Sequence, residues 1–316
     1  MRKIYTVGEA IYDIIFKNGK PIDAKVGGAM INSSVSLGRL NLPISYIGDT
    51  AADVVGDIMT NFLIDNNVNV DNFSHYSNSK SRLALAFIDD VNAPKYSFYK
   101  LGTPQKIKLD FPEIEAEDII LFGSFYGIKS EVRGQLVDFL LKAKKQGAII
   151  LYDPNFRVNH LSLLSTVLPF IEDNIRLADI VKASNEDFQL IFGLDTFTDV
   201  LKRLERLDVE NLIYTKNEFG IDYMLNQTKY HLEVNKLNPL SAVGAGDGFN
   251  AGLIYYIYKN NITKFQLQTM NAEQWNAMLK CADSFASNVC MSTDNYISVE
   301  FANNLKNNSD KFKWQG

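Results

Sequence analysis

Short apolar runs alternate with longer amphipathic stretches along this chain. Residues 4–7, 44–47, 119–122, 148–152, 179–181 and 212–214 are brief and mostly apolar, the pattern of strands covered on both faces. Between them, 51–66, 130–146 and 198–207 place apolar residues at helical spacing. Leu136, Phe139, Leu140 and Ala143 line one face of 130–146. Lys142, Lys144 and Lys145 lie near its C-terminal end, where cations suit the helix dipole, and Gly147 supplies a stop. This alternation predicts an α/β protein with a mostly parallel sheet and helices on both faces.

Two stretches depart from that rhythm. Residues 11–25 and 82–100 look like pairs of extended segments without a crossover helix: 83–88 is apolar, Asp89-Asp90-Val91-Asn92 reads as a turn, and Tyr96-Ser97-Phe98-Tyr99 follows. They predict a small antiparallel sheet beside the main one, serving either as a lid or as an ordinary edge hairpin. No Pro/Ser-rich linker or charge block divides the sequence, so one main domain over 1–316 is expected.

Composition narrows the function classes. With 46% hydrophobic residues, 20 Phe and 15 Tyr, the chain has enough apolar surface to offset its conformational entropy, which excludes disorder. Its 32 Lys+Arg against 37 Asp+Glu give a net charge of -5, unlike the basic stripe of a nucleic-acid binder. No apolar run approaches the roughly 20 residues of a membrane span. The opening Met1-Arg2-Lys3-Ile4-Tyr5-Thr6-Val7-Gly8-Glu9 reaches an acid too early for a signal peptide. Two cysteines, Cys281 and Cys290, and three histidines, His75, His160 and His231, provide neither a disulfide framework nor zinc spacing. A soluble, reduced, cytoplasmic protein is expected.

Three motifs carry candidate chemistry. In Gly244-Ala245-Gly246-Asp247, small residues precede an apolar helical stretch with Phe249, Leu253, Ile254 and Ile257 on one face. Such a turn bares backbone N–H groups at a helix start and forms an anion cradle. Asp247 then reads either as a general base beside that anion or as a plain N-cap. The motif is neither a Walker loop nor a dinucleotide fingerprint. Gly27-Gly28-Ala29-Met30-Ile31-Asn32 opens a second helix, either to let a small molecule approach the backbone or as a tight strand-to-helix turn. Asp153-Pro154-Asn155-Phe156-Arg157 follows the strand at 148–152, where α/β proteins bind ligands; the alternative is an Asx turn with an exposed Arg.

Taken in order with Val7-Gly8-Glu9-Ala10-Ile11-Tyr12-Asp13, Gly48-Asp49 and Gly56-Asp57, these motifs resemble the PfkB family of carbohydrate kinases over essentially the whole chain. The resemblance implies a ribokinase-like fold, a three-layer α/β/α core with a small antiparallel β lid at 11–25 and 82–100. It implies transfer of the γ-phosphoryl group of ATP to a sugar hydroxyl, with Mg²⁺ as cofactor. By that resemblance Asp13, Gly27, Gly28, Asn32, Tyr99, Lys100 and Arg157 hold the sugar, Gly244, Ala245 and Gly246 form the anion hole, and Asp247 is the base. Ser184, Thr215, Asn217, Gly220, Gly244, Gly246 and Asn288 fall on the nucleotide side, and Glu186 and Asp187 organise the metal through water.

The Asp153-Pro154-Asn155-x-Arg157 turn resembles fructokinases and 2-keto-3-deoxygluconate kinases more than ribokinases. Lys100 stands where those relatives often have Arg and loses bidentate geometry, which favours a neutral hexose such as fructose over a sugar acid. The chain departs from the family at Ser241-Ala242, usually Asp-Thr, and at Ser184-Asn185-Glu186-Asp187, which replaces Asn-x-x-Glu. The resemblance also allows a homodimer through the lid. Two rival readings are a catalytically silent sugar- or nucleoside-binding regulator on this fold and a Rossmann oxidoreductase, the latter lacking its N-terminal glycine fingerprint.

Overall fold

A computed structural model of the chain describes residues 1–88, 95–99, 107–225 and 227–308; the turn at 89–92 and Lys100 lie outside them. The strands are β1 (Ile4–Val7), β2 (Ile11–Lys17), β3 (Lys20–Gly27), β4 (Ile44–Ala51), β5 (Phe73–Tyr76), β6 (Leu83–Ile88), β7 (Lys95–Tyr99), β8 (Ile119–Gly123), β9 (Ile149–Asp153), β10 (Ile180–Ser184), β11 (Asn211–Thr215), β12 (Ile221–Leu225) and β13 (Thr228–Leu232). The helices are α1 (Ala29–Arg39), α2 (Val54–Asp65), α3 (Ser130–Gln146), α4 (Leu164–Leu177), α5 (Asn185–Phe192), α6 (Phe197–Leu204), α7 (Ala245–Lys259), α8 (Lys264–Thr269), α9 (Ala272–Cys290) and α10 (Val299–Asn307).

Nine strands form the large sheet in the order β13-β12-β11-β10-β9-β8-β1-β4-β5. Pairings from β5 through β11 are parallel, and β12 and β13 close one edge antiparallel. Successive strand residues feed two separate cores, as period-2 geometry requires. Ile4, Ile119, Leu121, Ile149 and Leu151 pack with α1, α7 and α9. Tyr5, Ile120, Phe122, Ile150 and Tyr152 pack with α3, α4 and α6 on the opposite face. The six predicted strands are all present, and 44–47 is longer than predicted: it continues as β4 to Ala51, so the following helix begins at Val54 with Asp53 as its cap.

The small sheet has the order β3-β2-β6-β7. It consists of two antiparallel hairpins, β2/β3 and β6/β7, laid side by side through one parallel pairing, β2/β6. Its register sorts the side chains by face. Asp13 lies opposite Lys25 and Ala84, and Ala84 opposite Phe98; Ile15 lies opposite Ala86, and Ala86 opposite Tyr96. Tyr12, Leu83 and Tyr99 therefore share the other face.

One buried guanidinium ties the two connections that lead from the large sheet into the small one, β1 to β2 and β5 to β6. Arg82, just before β6, contacts Glu9, between β1 and β2, through Nε to Oε1 at 2.9 Å, and Asp49 of β4 through Nη2 to Oδ2 at 2.5 Å. Its Nη1 donates to the Asp49 carbonyl at 2.9 Å, and the Tyr126 hydroxyl donates to the second Asp49 carboxylate oxygen at 2.7 Å. Burial disfavours the cation, but Glu9 and Asp49 outweigh it and raise the Arg82 pKa above its usual value. Replacing one partner strands the other buried charges. Arg82→Met is expected to lose about 3–5 kcal/mol of unfolding free energy in urea titration of the full chain, and a loss below about 1 kcal/mol would contradict this role.

Candidate active site

The two glycine motifs converge because α1 and α7 pack against one another at the carboxyl edge of the sheet. Gly28 precedes α1 with φ 123°, and a Cβ there would stand 2.3 Å from the Glu9 carbonyl. Gly244 caps α7 in the left-handed region with φ 83°, and a Cβ there would stand 2.4 Å from the Asn295 carbonyl. Both positions require glycine.

No side chain caps the start of α7. The Ala245 amide donates to the Ala242 carbonyl, and the first intrahelical bond runs from the Gly248 amide to the Gly244 carbonyl. The amides of Gly246 and Asp247 are left to meet an anion. Ser241 shapes the approach by accepting the Val243 amide on its hydroxyl at 3.2 Å.

Asp247 lies in the first turn of α7 and is 7% exposed. Asn32 Nδ2 donates to its Oδ2 at 2.8 Å, and the Ser33 hydroxyl donates to its carbonyl at 2.9 Å. Burial pushes the Asp247 carboxyl up to about 7; the Asn32 hydrogen bond opposes this, Asp153 adds to it, and Lys182 and Arg157 oppose it. The Asn32 amide oxygen is buried with no hydrogen-bond partner, an acceptor suited to a ligand hydroxyl.

Of the residues expected to hold the sugar, Asp13 and Gly27 lie in the small sheet, on β2 and at the end of β3. A Cβ on Gly27 would fall 2.2 Å from Asp13 Oδ2, so that glycine makes room for the carboxylate. Burial raises the Asp13 pKa to about 6 against the pull of Lys25, whose ammonium donates to the Thr293 carbonyl at 2.7 Å. Burial raises the Tyr96 pKa as well; Asp13 adds to that shift and exposed Arg157 opposes it. Tyr99 is on the opposite face and 52% exposed. Tyr96 and Phe98 therefore share the Asp13 face, and strand alternation carries the signal, since Tyr96 and Tyr99 differ by an odd number of positions.

Behind these groups is a buried polar cluster. Lys182 Nζ of β10 contacts Asp153 Oδ2 at 3.0 Å, Asn250 Nδ2 donates to the same oxygen at 2.6 Å, and the Asn155 amide donates to Asp153 Oδ1 at 3.0 Å. Sequence reasoning missed Lys182, Asn250 and Tyr96. A lysine within the apolar run Ile180–Ser184 and an asparagine on the inward face of α7 were the available signals.

Of the residues expected on the nucleotide side, Ser184 caps α5. Its hydroxyl donates to Asp187 Oδ2 at 2.6 Å and accepts the Asp187 amide, while the Ser184 amide reaches the same oxygen at 2.8 Å and the Phe156 amide donates to Asp187 Oδ1 at 2.7 Å. Glu186 is exposed. Thr215 ends β11, Asn217 takes a left-handed backbone with φ 50°, and Gly220 closes the turn into β12. Asn288 is engaged with the C-terminal loop: its amide oxygen accepts the Ser298 amide at 2.8 Å. Among the described residues no group of three or more His, Cys, Asp and Glu side chains is poised for a metal, and no helix is long and apolar enough to cross a membrane.

A bared helix start holding a buried carboxylate of near-neutral pKa, at the carboxyl edge of a parallel sheet, is the architecture of an α/β enzyme that moves an anionic group. The model of the pfkB family of carbohydrate kinases matches residues 1–300. The chain belongs to that family. It is 27% identical over 280 residues to the fructokinase of Rhizobium leguminosarum bv. trifolii, covering 85% of this chain and 84% of the relative. It is 27% identical over 234 residues to "Probable fructokinase-6, chloroplastic" of Arabidopsis thaliana, covering 72% of this chain and 61% of the relative. The crystal structure of the Vibrio cholerae O395 fructokinase, in fructose-, ADP- and calcium-bound form, superposes with a TM-score of 0.81 at 20% identity, covering 95% of this chain and 96% of that one. The two-sheet architecture is thus the ribokinase-like one.

Gly244→Ala combines positive φ with a backbone clash and is expected to cost roughly 1–3 kcal/mol. The shift in denaturant midpoint, with m unchanged, measures it.

Proposed function

We propose that this family member phosphorylates a neutral hexose, fructose, with ATP, and that Asp247 is its base. One observation carries the reading: a carboxylate with pKa about 7 is pinned by Asn32 in the first turn of a helix whose leading amides face an anion. The fructokinase names of the relatives and the fructose and ADP in the Vibrio cholerae structure support the substrate pair.

Asp13, the orphan oxygen of Asn32, Tyr96 and Arg157 orient the sugar. Asp247 takes the proton of the attacking hydroxyl as its oxygen forms a bond to the γ-phosphorus and the bond to the ADP oxygen breaks. The Gly246 and Asp247 amides stabilise charge on the transferring group. A divalent cation, Mg²⁺, neutralises phosphate charge when bound. Both Asp187 oxygens already accept hydrogen bonds, so Asp187 and exposed Glu186 fit such an ion through water.

The small sheet acts as a lid whose Asp13 face closes on the sugar and excludes water. Its other face, with Leu83, half-exposed Phe87 and Tyr99, suits a second copy of the chain. Neither Cys281 nor Cys290 is in a disulfide, which suits a reducing, cytoplasmic setting.

Asp247→Asn is expected to retain sugar binding and to lower turnover by roughly 10²–10⁴; near-normal sugar-dependent ADP release would remove the assignment. A base works only when deprotonated, so kcat/KM rises with pH through about 7 and levels off above it. A profile flat from pH 5.5 to 8 would contradict Asp247 in this role.

A further inference from the structure

Lys182 is 5% exposed in the middle of the large sheet, on the side that faces α7. Burying an ammonium is costly unless its charge is used. Asp153 does not need it for hydrogen bonding, since Asn250 and the Asn155 amide already reach both of that carboxylate's oxygens. Asp187 is likewise satisfied by Ser184 and Phe156.

The position of the ammonium shows where its charge acts. Gly246 is inside α7, and a Cβ there would meet a single neighbour, Lys182 Nζ, at 2.8 Å. The missing side chain at 246 admits the lysine head to the back of the turn whose front offers its amides to an anion. We propose that Lys182 is a positioning residue for phosphoryl transfer: fixed by Asp153 behind Gly246, its charge holds the Asp247 carboxylate and the incoming phosphate together in one site. The inference rests on the reading of Asp247 as base.

Charged groups reach Asp247 from three places: Asp153 at the end of β9, Arg157 in the loop after it, and Lys182 in β10, while α1 contributes the neutral Asn32. Removing Lys182 takes away a cation and leaves Asp153 beside Asp247, which makes the base harder to ionise. The site also loses fixed positive charge in a place shielded from water, where such charge acts strongly.

The test measures sugar-dependent ADP release against pH for the full chain. Lys182→Met is expected to lower kcat by about 10–10² and to move the acid limb of kcat/KM upward by on the order of one pH unit. The double variant Asp153→Asn/Lys182→Met removes both members of the buried ion pair together, so it decides the matter if the single variant does not fold. There the acid limb returns towards its wild-type position while kcat stays low. An unmoved limb with wild-type kcat in the single variant overturns the proposal, and so does full recovery of kcat in the double, which would make Lys182 a mere counter-ion. An active Asp247→Asn enzyme would instead remove the underlying base reading.

Discussion

The hydrogen bond from Asn32 Nδ2 to Asp247 Oδ2 joins the first turns of α1 and α7, two helices that start in glycine turns at the same edge of the sheet. Each turn alone is an ordinary strand-to-helix or loop-to-helix connection. Brought together, they set a buried carboxylate beside a bared, half-buried helix start. The Ser33 hydroxyl on the Asp247 carbonyl secures the same contact through the backbone, so the approach of the helices is fixed at two points. A shift of either helix by a fraction of a turn would separate the acceptor from the cradle.

Around that contact the molecule buries charge with unusual density. Asp153, Asp187 and Asp247 are all at most 7% exposed, and Lys182 lies among them. Hydrogen bonds from backbone amides, Asn250 and Ser184 reach both carboxylate oxygens of Asp153 and of Asp187. Burial still raises the Asp187 pKa above its ordinary value. Among the described residues the Asp247 carboxylate accepts the Asn32 bond, and burial pushes it up to about 7.

Much of this was legible in the sequence because it is written in local chemistry. The glycine pairs mark turns that β-carbons would block, and the short apolar runs mark strands covered on both sides, so the central strands and both helix starts could be placed from the sequence. The edge strands β12 and β13 and the short β5 were not: their residues alternate weakly, and their partners are supplied by the sheet. The parallel β2/β6 pairing joins residues about seventy positions apart and has no local signature. The face of β7 is decided by register with β6, which gives the Asp13 side to Tyr96 and Phe98 and the other to Tyr99. The Asn288 amide oxygen accepts the Ser298 amide from the segment that follows α9. In each case a long-range contact decides what a local motif cannot.

The Asn32–Asp247 contact spans 215 positions of sequence. Asp13, Gly28 and Asn32 come from the first tenth or so of the chain and Asp247 from its last quarter. The pocket is therefore whole only where the two ends of the chain meet, and a contact of such long range forms at a high cost in loop-closure entropy.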